Sequence, residues 1–162
     1  MQGDVFSLYR CCFTGHGIIA NEAVIRILKE KEKELIEHCN VNEFWVGNYG
    51  DFDRYATRAV NCLKKTYPQI RLALVLPYVT KEINDNKEYY YNHYDEILIS
   101  DVSFSTPKSL YIIKTNEYMV QNCGYMIGYI THTYGGAART WRYASRQKHI
   151  KICNLAQTGK MK

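Results

Sequence analysis

Apolar residues follow two rhythms along this chain. Largely apolar runs stand at Cys11-Cys-Phe13, Phe44-Trp-Val46, Ile70 to Leu76 (broken only by Arg71), Ile97-Leu-Ile99, Tyr125 to Ile130 and Ile150 to Cys153 (broken only by Lys151). Runs this short and this continuous suit strands covered on both faces. They predict strands over 5–14 (clearest at 11–13), 43–46, 70–76, 96–100, 125–130 and 149–153. Between them the spacing lengthens to three and four. Ala23, Val24, Ile27, Leu28, Lys31, Leu35 and Ile36 predict a helix that ends near Cys39-Asn40, with Asn21 as its N-cap and Lys and Glu on the other face. Tyr55, Ala56, Ala59, Val60 and Leu63 predict a second helix, capped by Asp51 or Asp53 and closed by Pro68. A loop and a short helix over 87–94 are expected in the polar, tyrosine-rich section from Thr80 to Tyr94. Residues 102–109 read as a loop, and a further helix lies within 109–122. The last helix follows Gly135-Gly136, with Ala137, Trp141 and Ala144 on one face. The tail from Ala156 is expected to fray.

Strands that alternate with helices argue an α/β fold: a Rossmann-like open, mainly parallel sheet with helices on both faces. At 162 residues, with no repeat and no linker, the chain reads as one domain over 1–162. Ligands of such sheets bind beyond the carboxyl ends of the strands. Four loops follow strands at that end: Thr14-Gly15-His16, Gly47-Asn48-Tyr49-Gly50-Asp51, Pro77-Tyr78 and Tyr134-Gly135-Gly136. The last has the stronger chemical logic. Glycine lets backbone approach a ligand, and the N–H groups of a first helical turn point at an anion. The competing reading of Gly135-Gly136 is a βα turn that needs glycine for its shape alone.

Composition narrows the class. The chain is 46% hydrophobic and 23% charged, ordinary for a globular protein. No apolar run approaches the roughly 18 residues of a membrane span. No basic stretch leads into an apolar one after Met1, so a cytoplasmic protein without a secretory signal is expected. The net charge of +5 allows an anionic ligand without requiring nucleic acid. The lysines are spread, and the cluster Arg139, Arg142, Arg146 and Lys148 matches a solvated helix face. The six cysteines make no Cys-x-x-Cys pair, and no histidine has zinc-site spacing, so no metal site is expected. Buried reduced thiols are the simpler reading.

Several of these segments together resemble a known family. Cys11-Cys-Phe-Thr-Gly-His16 is similar to the first-strand motif Cys-Cys-Phe-Thr-Gly-His-Arg of the YpsA/YoqJ-like proteins, with Gly17 at the Arg position. These belong to the SLOG superfamily, named for the Smf/DprA and LOG proteins. Gly47 to Asp51 resembles the family's glycine-rich second loop. Asn116-Glu-Tyr-Met-Val120 resembles its Arg-Asn-x-x-Met-Val motif, with Thr115 for Arg. Gly135-Gly136 and Arg139 to Ala144 resemble its Gly-Gly-Thr…Tyr-Ala segment, with Ala137 for Thr. The match runs from about residue 10 to 153.

The resemblance implies a bacterial or phage Rossmann-like domain that holds a nucleotide-derived ligand, its phosphate or ribose between the first loop and the Gly-Gly turn. Homo-oligomers are frequent in the superfamily. Its members differ in activity: LOG enzymes cleave a base from a nucleoside monophosphate, DprA binds single-stranded DNA, and some SLOG domains of bacterial defence systems sense ADP-ribose-type signals. LOG chemistry uses Pro-Gly-Gly-x-Gly-Thr-x-x-Glu, where the Glu supports a developing oxocarbenium ion. Here Tyr134, Ala138, Arg139 and Arg142 replace its Pro, third Gly, Thr and Glu. A cation at that point opposes the developing charge.

The expectation is therefore a non-catalytic binder that senses or sequesters a phosphate-containing ligand, with no cofactor and no catalytic residue. The alternatives are a DprA-like module for single-stranded nucleic acid and a nucleotide hydrolase using His16 or Asp51. His16 has the pKa range for acid–base work, yet a histidine in a turn more often bonds backbone or phosphate. Arg139 is a candidate phosphate contact, and Tyr49, Tyr78 and Tyr134 are candidate stacking partners for a base. Asn116 completes the ligand-binding set. Asp51 reads more simply as a helix cap, and Glu117 as a surface charge.

Overall fold

A computed structural model describes residues 8–17, 19, 22–103 and 105–157. Six strands form one sheet: β1 (Arg10–Gly15), β2 (Glu43–Val46), β3 (Arg71–Leu76), β4 (Glu96–Ile99), β5 (Tyr125–Tyr129) and β6 (Lys151–Asn154). Six helices alternate with them: α1 (Ala23–Cys39), α2 (Asp51–Leu63), the short α3 (Lys81–Asp85) and α4 (Lys87–His93), α5 (Tyr111–Gln121) and α6 (Gly136–Ser145). All strand pairs are parallel, in the order β4-β3-β2-β1-β5-β6. The chain winds outward from β1 to β4, then crosses back to place β5 on the other side of β1. The order therefore reverses between β1 and β5, the place where open α/β sheets hold ligands.

The periodicities translate into two cores. On one face α1 and α2 pack with α3 and α4 over Phe13, Phe44, Leu72 and Leu74. On the other, α5 and α6 cover Cys12, Trp45, Ala73 and Met126. Strand termini match the apolar runs to within a few residues. The expected first-strand residues 5–7, the Asn21 cap and the tail beyond 157 lie outside the described residues. Two expectations change. The section from Thr80 folds as two short helices, with the Thr80 hydroxyl accepting from the Ile83 N–H at the start of α3. Helix α6 buries Ala138, Thr140 and Ala144, and Ala137 instead lines a cleft. Among the described residues no cysteine is in a disulfide, and no helix is long and apolar enough to cross a membrane.

Helix α1 holds the one clear departure from simple patterning. Its buried face is Val24, Leu28, Glu32, Leu35 and Ile36. Glu32 continues the helical stripe from Leu28 to Ile36 but carries a carboxyl group. It is fully buried and neither oxygen has a hydrogen-bond partner. Burial pushes its pKa well above the ordinary 4.5, so the folded protein holds it neutral. The unfolded chain releases this proton near the ordinary value, so Glu32 lowers stability as pH rises above that point. Glu32→Met, of similar volume and without the unpaired oxygens, is expected to add about 1–2 kcal/mol at pH 8. The gain should shrink towards pH 4, which thermal melts across that range would measure. A gain that stays flat with pH would show that Glu32 is not the titrating group.

Candidate functional site

At the carboxyl end of the sheet, around the β1–β5 reversal, lies a cleft of about 470 Å³. That volume falls within the range of about 300–1,000 Å³ typical of small-molecule sites. Four segments build its walls. The end of β1 and its loop supply Phe13 to Gly17, and the β2 loop with the first turn of α2 supplies Tyr49, Gly50 and Asp53. Helix α5 supplies Ile112 and Asn116, and the β5 loop with the start of α6 supplies His132 and Tyr134 to Ala137.

Glycines let these segments approach one another. A Cβ at Gly15 would stand 2.3 Å from the Phe52 ring, so α2 can press against the end of β1 only because the side chain is missing. A Cβ at Gly50 would stand 2.5 Å from the Gly17 Cα, which brings the first and second loops into backbone contact. Two hydrogen bonds close the same contact. The Asp51 N–H donates to the Gly17 carbonyl at 2.9 Å, and the Ile19 N–H donates to Asp51 Oδ2 at 2.8 Å. The other oxygen of Asp51 pairs with Arg54. Asp51 is thus spent on joining the loops and does not line the cleft. It is also not the cap of α2, whose N-cap position is Gly50.

The glycine pair behaves differently. Gly135 has φ 93°, a left-handed conformation that favours glycine, and it is the N-cap residue of α6. No side chain caps this end. Among the described residues, apart from the chain neighbours and the backbone of α6 itself, no atom lies within 4 Å of where a side chain would begin at Gly135 or Gly136. The first turn of α6 therefore opens onto empty space at the cleft. Such an end, with unpaired N–H groups and the positive pole of the helix dipole, attracts anions. The buried Asn154 sets the approach of β5 to this turn. Its amide donates to the Ile130 carbonyl, and its Oδ1 accepts from the Ile130 N–H, both at 3.0 Å.

Three rings form the wall beside the glycines. His16 stacks on His132 with centroids 3.6 Å apart, and His132 stacks on Tyr134 at 3.9 Å. His16 Nε2 accepts the Thr131 N–H at 2.9 Å, which places its proton on Nδ1 and holds the ring neutral. Partial burial and the neighbouring His132 both lower the His16 pKa. His132 Nδ1 donates to the Tyr134 carbonyl at 3.0 Å. Opposite, Asp53 accepts the Tyr49 N–H at 3.0 Å, and burial raises its pKa to about 6 against that bond and the nearby Arg54. Burial likewise raises the Tyr49 hydroxyl to about 12.

The expected site residues divide in two. Thr14, Gly15, His16, Tyr49, Gly50, Asn116, Tyr134, Gly135 and Gly136 come together on the cleft. Gly47 lies buried beneath Tyr49 and Asp53. Asn48, Pro77 and Tyr78 line a neighbouring chamber instead. Arg139 points away on the exposed side of α6, and Arg142 Nη1 donates to the Thr133 carbonyl at 2.7 Å, bracing the β5 loop from outside. Among the described residues no lysine or arginine lines the cleft, so what it offers an anion is backbone N–H groups and imidazole N–H donors. Thr115 sits behind the wall, buried and hydrogen-bonded to Ser100. Glu117 pairs with Lys114 away from the cleft. Sequence reasoning missed Asp53 and His132 as cleft residues. Asp53 looks like any acidic residue of a first helical turn, and His132 has no neighbouring motif to mark it.

Among the described residues no group of three or more His, Cys, Asp or Glu could hold a metal ion. No protein-family model matches the chain, and no curated protein does. The fold does have a solved counterpart. It is similar to DNA processing protein A (DprA) from Streptococcus pneumoniae, with a TM-score of 0.58 over 93% of this chain, at 14% identity. The chain spans about half of that protein, 52% of its length. The likeness shows a shared Rossmann-like α/β fold.

Proposed function

We propose that this chain is a SLOG-type, YpsA/YoqJ-like domain that binds a nucleotide-derived, phosphate-containing ligand and leaves it unchanged, as a sensor or a sequestering protein. The observation that carries this reading is the uncapped start of α6, open at Gly135-Gly136 onto the switch-point cleft. A phosphate there would meet backbone N–H groups and the His16–His132 pair, and Tyr134 offers a face for a base. The absence of turnover is supported by Arg142, which stands where the resemblance would need a glutamate and is occupied with the Thr133 carbonyl.

The test is a thermal melt against AMP, ADP, ATP, NAD, ADP-ribose and its cyclic isomers, cyclic dinucleotides and a short single strand of DNA. A ligand at about 100 times its dissociation constant adds about 2.7 kcal/mol, a shift of several degrees for a domain of this size. The expected result is a shift with a phosphorylated nucleoside that is recovered intact. Recovery of a cleaved product would turn the reading to a hydrolase, with His16 and Asp53 as the groups to test. A shift with DNA alone, falling steeply with salt, would favour a nucleic-acid module. That second reading draws on the fold shared with a DNA processing protein and on the exposed Tyr49, Tyr78 and Tyr134 along the loop edge.

A further inference from the structure

Among the described residues the cleft has no lysine or arginine on its walls, yet one of its side chains can become a cation. His132 lies half-buried in the middle of the three-ring stack. The His16 centroid is 3.6 Å away on one side, and the Tyr134 centroid is 3.9 Å away on the other. The rings are nearly parallel, at 13° and 20°. All three line the cleft beside the first turn of α6.

The hydrogen bonds decide which histidine can charge. His16 Nε2 already accepts the Thr131 N–H at 2.9 Å. A proton added there would set two donors against each other and break the tie between the β1 and β5 loops. Partial burial and the adjacent His132 also oppose the charged form of His16. His132 is arranged the other way. Its Nδ1 donates to the Tyr134 carbonyl at 3.0 Å, which leaves Nε2 bare and without a partner among the described residues. A proton on Nε2 breaks nothing and keeps the bond to Tyr134. It places an imidazolium between the faces of a neutral imidazole and a phenol ring, and an aromatic face at this distance favours a cation.

We propose that His132 is the switchable cation of this cleft, charging at Nε2 as an anion settles at the start of α6, so that binding takes up one proton. This rests on α6 being the anion site of the proposed function. It goes further by naming the side chain that supplies positive charge and by making affinity rise as pH falls. The other titratable groups around His132 are His16 and Tyr134 in the stack, and Tyr49 and Asp53 across the cleft. Helix α5 brings Ile112 and Asn116, which do not titrate. Arg142 holds the Thr133 carbonyl from outside, and Arg139 lies on the exposed side of α6. Burial raises the Tyr49 hydroxyl to about 12, so it stays neutral. Asp53, raised by burial to about 6, loses its charge in the same range and favours an anion in the same direction.

Inorganic sulfate is the probe, because it keeps both charges between pH 6 and pH 7.5, whereas a phosphate monoester loses its second proton near pH 6. Its binding is followed at the backbone amide of Ala138, in the first turn of α6, by proton–nitrogen correlation spectra at matched ionic strength. The wild type is expected to bind sulfate about fivefold more tightly at pH 6 than at pH 7.5, most of the step of about tenfold that a coupling of one pKa unit gives. His132→Asn can still donate to the Tyr134 carbonyl, and His132→Phe keeps a ring in the stack. Both should bind at pH 6 only as weakly as the wild type does at pH 7.5. Asp53→Asn should keep most of the pH step. Equal wild-type affinity at the two pH values would overturn the proton link and leave the anion site standing. A step that survives both His132 substitutions, or one that vanishes in Asp53→Asn, would also overturn it. If sulfate moves the Ala138 amide at neither pH, the anion site of the proposed function fails and the role of His132 falls with it.

Discussion

Gly136→Asp is expected to weaken nucleotide binding by 100-fold or more, with no loss of thermal stability. The new carboxylate would extend from a Cβ that meets no neighbouring segment among the described residues within 4 Å, at the first turn of α6. Two unit charges about 4 Å apart at a partly screened site repel by about 4 kcal/mol, well over the roughly 2.7 kcal/mol of a 100-fold change. The fold should not suffer. Gly136 has none of the left-handed geometry of Gly135, and an acidic residue in a first helical turn is worth about 0.3–1 kcal/mol in its favour. Gly136→Ala separates charge from bulk: it adds a methyl group to open space and should cost less than about tenfold. Calorimetry with the ligand found in the melting panel, beside the melting temperature of each variant, measures both. Wild-type affinity in Gly136→Asp would move the anion away from α6 and remove the main support for the proposed function.

Gly50→Ala is expected to lower stability by about 2–3 kcal/mol, overpacking that no rotamer can relieve. For a domain of this size that is a fall of about 4–12 °C in melting temperature. The added Cβ would lie 2.5 Å from the Gly17 Cα and 3.0 Å from its carbonyl oxygen, both backbone atoms. Relief requires the two loops to part, which breaks the bond from the Asp51 N–H to Gly17 and the grip of Asp51 on Ile19. Both loops line the cleft, so ligand affinity should fall with stability. Gly17→Ala is the control across the same contact. Among the described residues its Cβ would meet only the Tyr49 carbonyl oxygen at 3.7 Å, an ordinary distance, and it should melt close to wild type. Equal behaviour of the two variants would show that the loops are not locked at Gly50.

This asymmetry marks how far the sequence could be read. Both glycines stand in loops after strands, and nothing in their neighbourhoods tells them apart. One is required by a contact with a residue more than thirty positions away, and the other merely accepts it. Pro77 and Tyr78 show the same limit. Their place after β3 was legible, but which of two adjoining chambers they line depends on how α5 crosses above the loop. Glu32 shows it in the core. The helical period from Leu28 to Ile36 passes through it, yet its charge argued for the solvent face, and packing of α1 on α2 overrode that preference. His132 could not be found at all, because stacking between His16 and Tyr134 is a relation across two loops.

By itself the sequence determined the alternation of strands and helices, the parallel α/β class and the positions of the loops that follow each strand. Largely apolar runs and three-to-four spacing record how each segment is buried, and burial is a local property of a segment. Only the tertiary structure decided the strand order and its reversal between β1 and β5. It also turned Asp51 into a loop tie, brought Asp53 and His132 to the cleft and left Arg139 outside. Those outcomes depend on which distant segments become neighbours, and hydrophobic periodicity carries the depth of a residue without naming what it will touch.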